Sequence, residues 1–163
     1  MSTPIKDATV GQLNVLKGFF LKDLGSLTDD QLNSKPNGCA RRPIDFCYEV
    51  VSANHGICRM LQQLPPDESD EARAEGEKDG EWTAAPKGYT RAQLETDFTS
   101  SMDAIIDVVA NSSEDQLTTK IPTWFGEQPM FSFAMFAGMH ANYHNGQLAY
   151  VAQLNGDLKN YWF

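Results

Sequence analysis

The stretch from Gln128 to Gly156 contains no Asp, Glu, Lys or Arg, and this run constrains the fold more than any other feature. An uncharged segment of that length has two outlets, a bilayer or the interior of a helical protein. Its length suits a membrane span. However, His140, Asn142, His144, Asn145 and Gln147 lie in its middle, and lipid would leave those side chains without partners. The run is therefore expected to form a helix from roughly Phe131 to Leu154, buried in a bundle with its polar cluster aimed at something. Asn155-Gly156 supplies the stop.

Three further segments carry apolar residues at helical spacing. The first runs from about Thr9 to Leu24, with Val10, Leu13, Leu16, Phe20 and Leu24 on one face. The second runs from about Pro43 to Leu64 and buries Cys47, Val50, Val51, Ile57, Cys58 and Leu61. Pro43 suits a first helical turn, and Pro65-Pro66 forbids continuation. The third runs from about Arg91 to Ala110, with Leu94, Phe98, Met102, Ile105, Ile106 and Val109 in line. No segment alternates as a strand pair should. The expected fold is all-α, a four-helix bundle with long interhelix connections, formed by residues 1–163 as a single domain.

The connections carry a short repeat. Thr28-Asp29-Asp30-Gln31-Leu32, followed by Lys35, resembles Ser113-Glu114-Asp115-Gln116-Leu117, followed by Lys120. Both match a capping box opening one short helical turn. The repeat would set the first two long helices in register with the last two, giving the bundle a pseudo-two-fold character. The remaining connection, Pro65 to Gly88, holds eight acids and two bases between Asp67 and Glu81. It is expected to be a solvated acidic loop pinned to the body by Trp82 and Tyr89.

Charge and cysteine bound the function. With 22 acids against 13 Lys and Arg, the chain has a formal charge of −9 and no basic face for a phosphate backbone, so nucleic acid is not an expected partner. Cys39, Cys47 and Cys58 form no C-x-x-C pair. Cys47 and Cys58 are separated by about 16 Å along one helix, too far to bridge. A reducing compartment follows. Met1 to Val10 lacks the apolar centre of a signal peptide, so a cytoplasmic, membrane-free protein is expected.

The chemistry concentrates in few residues. The chain has three histidines, and His140 and His144 are four apart on the uncharged helix, stacked one turn from each other. Two imidazoles so placed can reach one metal ion; the alternative is a pair of interior histidines bonded to carbonyls. The zinc-protease motif H-E-x-x-H is excluded, because Ala141 stands where its catalytic Glu would be. A firm site needs a third ligand, and the second helix offers Glu49 and His55. They lie on opposite flanks of its apolar stripe, and periodicity leaves them equally placed. Glu49 has small neighbours in Ala53 and Gly56; His55 has the more suitable side chain. Asn54 and Asn142 are candidate partners for the ligands. Gly138, Gly146 and the alanines of the last helix read as a close-packing surface. Phe19, Phe20, Phe131, Phe133 and Phe136 read as core, and Trp124 and Phe125 as core or as a cover for the site.

Trp124-Phe125-Gly126-Glu127, His140-Ala141-Asn142-Tyr143-His144-Asn145-Gly146-Gln147-Leu148 and Leu154-Asn155-Gly156-Asp157 together resemble the DinB-like superfamily, which includes the bacillithiol and mycothiol S-transferase type of four-helix bundle. The signature of its last helix is H-x-x-x-H, a polar residue, then Gly and Gln. Here Asn145 stands where many members have Arg. The resemblance runs over nearly the whole chain. It implies a divalent metal, zinc or nickel, held by one ligand from the second helix and two from the last. Members commonly use three histidines. The matching position here, about six residues after Pro43, is Glu49. The resemblance therefore implies Glu49, His140 and His144 as ligands, with His55 in reserve. It further implies a small-molecule partner of the low-molecular-weight thiol class, S-transferase chemistry and a homodimer. Glu49 in place of histidine also fits a metal-binding bundle without catalysis. A third reading makes the histidines core residues of an interaction module.

Overall fold

The computed structural model describes residues 4–38, 41–65 and 84–162. In chain order the elements are α1 (Ile5–Ser26), α2 (Asp29–Asn33), α3 (Pro43–Leu61), α4 (Arg91–Asn111), α5 (Glu114–Thr118), β1 (Lys120–Thr123), β2 (Gly126–Pro129) and α6 (Met130–Leu154). The acidic run Asp67–Glu81, Trp82 and Cys39 lie outside the described residues.

Local sequence sets the helix ends. Both members of the short repeat form their capping boxes. Thr28 Oγ1 accepts from Gln31 N while Gln31 Oε1 accepts from Thr28 N, and Ser113 and Gln116 do the same. Thr90 and Gln93 open α4 in the same way. α3 ends at Leu61, three residues before the expected Leu64. Pro65 disfavours helical backbone at Leu64. Gln63 takes a left-handed φ of 55°, and Leu64 N and Gln63 N bond back to Arg59 O and Met60 O. Gly156, at φ 84°, closes α6 with the same pair of bonds, from Gly156 N to Gln153 O and from Asp157 N to Ala152 O. One cap comes from far away in sequence. Pro4 gives α1 no side-chain cap, and the Glu114 carboxylate accepts from Ile5 N and Lys6 N instead.

The all-α expectation needs one correction: β1 and β2 form an antiparallel hairpin in the register Ile121↔Gln128 and Thr123↔Gly126. The sequence hides it because each strand has four residues, both contain a proline, and only Ile121 is buried. Trp124 and Phe125 keep negative φ, and Gly126 at 84° makes the reversal.

Each long helix packs on two others: α1 on α6 and α4, and α3 on α4 and α6. α1 and α6 run parallel, since Leu13 and Leu16 lie against Gly138 while Phe19 stacks on Trp162 beyond the far end of α6. α4 runs antiparallel to α1, with Asp103 at Lys17 and Arg91 bonded to the carbonyls of Leu24 and Leu27. The core between the helices holds Leu13, Phe20, Leu24, Ile57, Leu94, Phe98, Met102, Ile105 and Phe133. Of the five phenylalanines expected there, Phe20 and Phe133 are fully buried and Phe19, Phe131 and Phe136 half-buried. Tyr89 anchors the approach to α4, edge-on to Tyr48 with its hydroxyl donating to Asp97. Among the described residues no helix is long and apolar enough to cross a membrane.

Candidate metal centre

α3 and α6 lie antiparallel, and their facing flanks bring Glu49, His140 and His144 together. The burial pattern explains the meeting. Val50, Ile57 and Leu61 turn α3 into the core, and Ala137, Ala141 and Leu148 do the same for α6. Glu49 and the two imidazoles are thus left on the edges where the helices meet. Their side chains are 14%, 16% and 3% exposed, so the cluster is nearly dry but reachable past Glu49 and His140.

Glu49 Oε1 lies 3.5 Å from His140 Nε2 and 3.5 Å from His144 Nε2, and the two Nε2 atoms are 3.1 Å apart. A spacing of 3.5 Å is long for a hydrogen bond. It is close to the distance of about 3.4 Å between donors sharing a tetrahedral ion with bonds near 2.1 Å. The three donors therefore fit a small divalent cation.

The surrounding side chains prepare each donor. Gln147 Oε1 lies 2.8 Å from His144 Nδ1 and accepts a hydrogen bond from an Nδ1–H, which favours the tautomer whose Nε2 can ligate a cation. Phe46 stacks on the His144 ring with centroids 5.5 Å apart, and Phe136 lies parallel to the His140 ring at 6.1 Å. Arg41 Nη1 stands 2.5 Å from Glu49 Oε2, so the guanidinium engages one oxygen and leaves Oε1 to the histidines. Burial pushes the Glu49 carboxyl up. The two imidazoles and Arg41 outweigh burial and hold it below the ordinary carboxylate range, so it is ionised at neutral pH. His140 Nδ1 is buried without a hydrogen-bond partner, as are both amide atoms of Asn145.

The other sequence candidates lie elsewhere. His55 is exposed and stands outside the cluster. Asn54 is buried but donates to Ser101 Oγ on α4, and Asn142 is exposed. Phe125 meets Phe136 edge-on at 4.8 Å, next to the ring that lies along His140, which places the hairpin tip beside the site. Sequence reasoning missed Arg41 and Phe46 as neighbours of the cluster. Phe46 lies three residues before Glu49, on the same helix face, and that spacing could have found it. Arg41 precedes α3, and no periodicity reaches it. Cys47 and Cys58 are buried, and burial pushes both thiols up, so neither is a nucleophile at neutral pH.

No protein-family model matches the chain, and no curated protein matches it. Solved structures do. A candidate member of the DinB family from Exiguobacterium sibiricum superposes with a TM-score of 0.71 at 15% identity, covering 100% of both chains. A conserved protein from Enterococcus faecalis gives 0.70 at 15% identity, over 96% of this chain and 100% of that one. A DinB-like protein from Bacillus subtilis gives 0.58 at 14% identity, over 96% of this chain and 95% of that one. The chain has the fold of DinB-like proteins.

Proposed function

We propose that Glu49, His140 and His144 bind one divalent metal ion, zinc or nickel, and that the centre serves an S-transferase using a low-molecular-weight thiol. The observation that carries the reading is the convergence of three donor atoms 3.1 to 3.5 Å apart between α3 and α6. In this reading the long helices form a single four-helix bundle whose halves repeat, and the centre lies in the groove between one helix of each half. The homodimer belongs to the same reading, supported by the exposed apolar Phe125 and Met139 at the hairpin tip and on α6.

A bound divalent ion would supply a Lewis acid that keeps a coordinated sulfur deprotonated near neutral pH. The protein's own groups do the rest. Gln147 fixes the His144 tautomer, and Phe46 and Phe136 restrain the imidazole rings. Arg41 orients the Glu49 carboxylate. The ligand set of two imidazoles and one carboxylate leaves room for a small molecule, and Ala141 keeps a protein base out of the position used by zinc proteases. No side chain has to act as nucleophile. A second reading, a metal-binding bundle without turnover, is favoured by the carboxylate at position 49.

Elemental analysis of purified protein tests the centre. Wild type and His55→Ala are expected to hold one ion per chain, while Glu49→Ala, His140→Ala and His144→Ala lose it. Loss in His55→Ala with retention in Glu49→Ala would overturn the ligand assignment. Turnover of a panel of electrophiles with thiols separates the transferase from the silent binder.

A further inference from the structure

Two glycines of α6 differ in a way that sequence does not reveal. A Cβ on Gly138 would come 2.6 Å from Leu16 Cδ1, so any side chain there has to move Leu16. A Cβ on Gly146 would meet nothing within 4 Å. Packing therefore gives no reason for glycine there, and a helix interior disfavours it. The missing side chain instead leaves Gly146 on a pocket of about 460 Å³ lined by Arg41, Phe46, Tyr143, Gln147 and Tyr150. That volume suits a small organic ligand.

The pocket shares a wall with the metal centre. Phe46 stacks on His144, Gln147 bonds to His144 Nδ1, and Arg41 pairs with Glu49. Tyr143 and Tyr150 rise from one face of α6 on either side of Gly146, 66% and 60% exposed. Three aromatic rings and Val151 make most of the lining apolar. Among the described residues that line it, Arg41 is the charged one. A guanidinium carries five donors, so Arg41 can hold Glu49 and other partners and still offer an N–H to an anion at the pocket wall.

We propose that this pocket binds a small aromatic carboxylate, its ring against Phe46, Tyr143 and Tyr150 and its anionic head toward Arg41. As the substrate subsite of the neighbouring centre, it rests on the metal reading given above; as a binding site it stands on its own lining.

The test is a titration of isotope-labelled full-length protein, with and without zinc, using benzoate, acetate and benzyl alcohol as probes and backbone amide shifts as readout. Benzoate is expected to saturate shifts at Gly146, Gln147 and Tyr150, at least tenfold more tightly than either partial probe. Gly146→Leu, which projects into the pocket without touching the ligands, is expected to abolish those shifts while keeping the wild-type zinc stoichiometry. Tyr150→Ala and Arg41→Gln are each expected to weaken benzoate about tenfold. Equal binding of all three probes, shifts elsewhere on the surface, or undiminished binding by Gly146→Leu and Tyr150→Ala would overturn the proposal. Calorimetric zinc uptake in the same samples reports separately. Benzoate binding without zinc uptake removes the metal reading and keeps the pocket; zinc uptake without benzoate binding does the reverse.

Discussion

Glu49 shows how much a residue's role depends on what surrounds it. The chain has 22 acids, and this one is singled out by two imidazoles and a guanidinium rather than by any property of its own. Asp45, one turn earlier, is held differently. Its carboxylate accepts from Arg42 N, Nε and Nη2 and from Ala85 N, tying the start of α3 to the chain that leads into α4. Burial pushes this carboxyl up, but the Arg42 and Ala85 contacts outweigh burial and hold it below its usual value. A depressed carboxyl contributes stability above the ordinary range near pH 4, and that contribution disappears as pH falls through the lower native value. Asp45→Ala is expected to cost about 2 kcal/mol at pH 7 in urea denaturation, and the difference from wild type is expected to narrow in acid. The two glycines give a second contrast. Gly146→Ala is expected to stabilise by about 0.5–1 kcal/mol through helix propensity. Gly138→Val, which must displace Leu16, is expected to destabilise by about 1–3 kcal/mol. Thermal denaturation reads both.

The elements divide by how local their determinants are. α2 and α5 are each five residues long, and their capping boxes are written in four consecutive residues. Helices this short have little propagation to support them, so the caps matter. Thr28→Ala and Ser113→Ala are each expected to lower stability by about 0.5–2 kcal/mol in chemical denaturation. Restoration by Thr28→Ser would show that the hydroxyl is responsible. Among the long helices, the start of α3 and the end of α6 are legible because Pro43 and Asn155-Gly156 act through neighbouring backbone, whereas α3 stops three residues before the expected Leu64. α1 starts at Ile5, four residues before the expected Thr9, because its cap is Glu114, more than a hundred positions away in sequence. The hairpin was missed for a related reason. Its strands have weak patterns of their own and form where Thr119 O accepts from Met130 N, at the join to α6.

For the molecule as a whole, the proposed ion joins α3 to α6, two helices with 68 residues between them (62–129). Anything that binds only the folded state adds RT ln(1 + [L]/Kd) to stability, about 2.7 kcal/mol at a hundredfold excess over Kd. Zinc or nickel is therefore expected to raise the melting temperature of wild type and His55→Ala, and chelator to reverse the rise. Glu49→Ala and His144→Ala are expected to show no shift. An unchanged melting temperature in wild type at saturating zinc would count against the centre.

The charge-free run, the pair at His140 and His144 and the four long helices follow from periodicity and local capping, which act within a few residues and survive in a one-dimensional reading. The choice between Glu49 and His55 does not. Periodicity gives a residue's angle around its own helix, and both lie on flanks of α3. Only packing determines that α6 covers one flank while water covers the other. Arg41, the pocket over Gly146 and the cap from Glu114 have the same origin, since each depends on which surfaces the folded chain brings into contact.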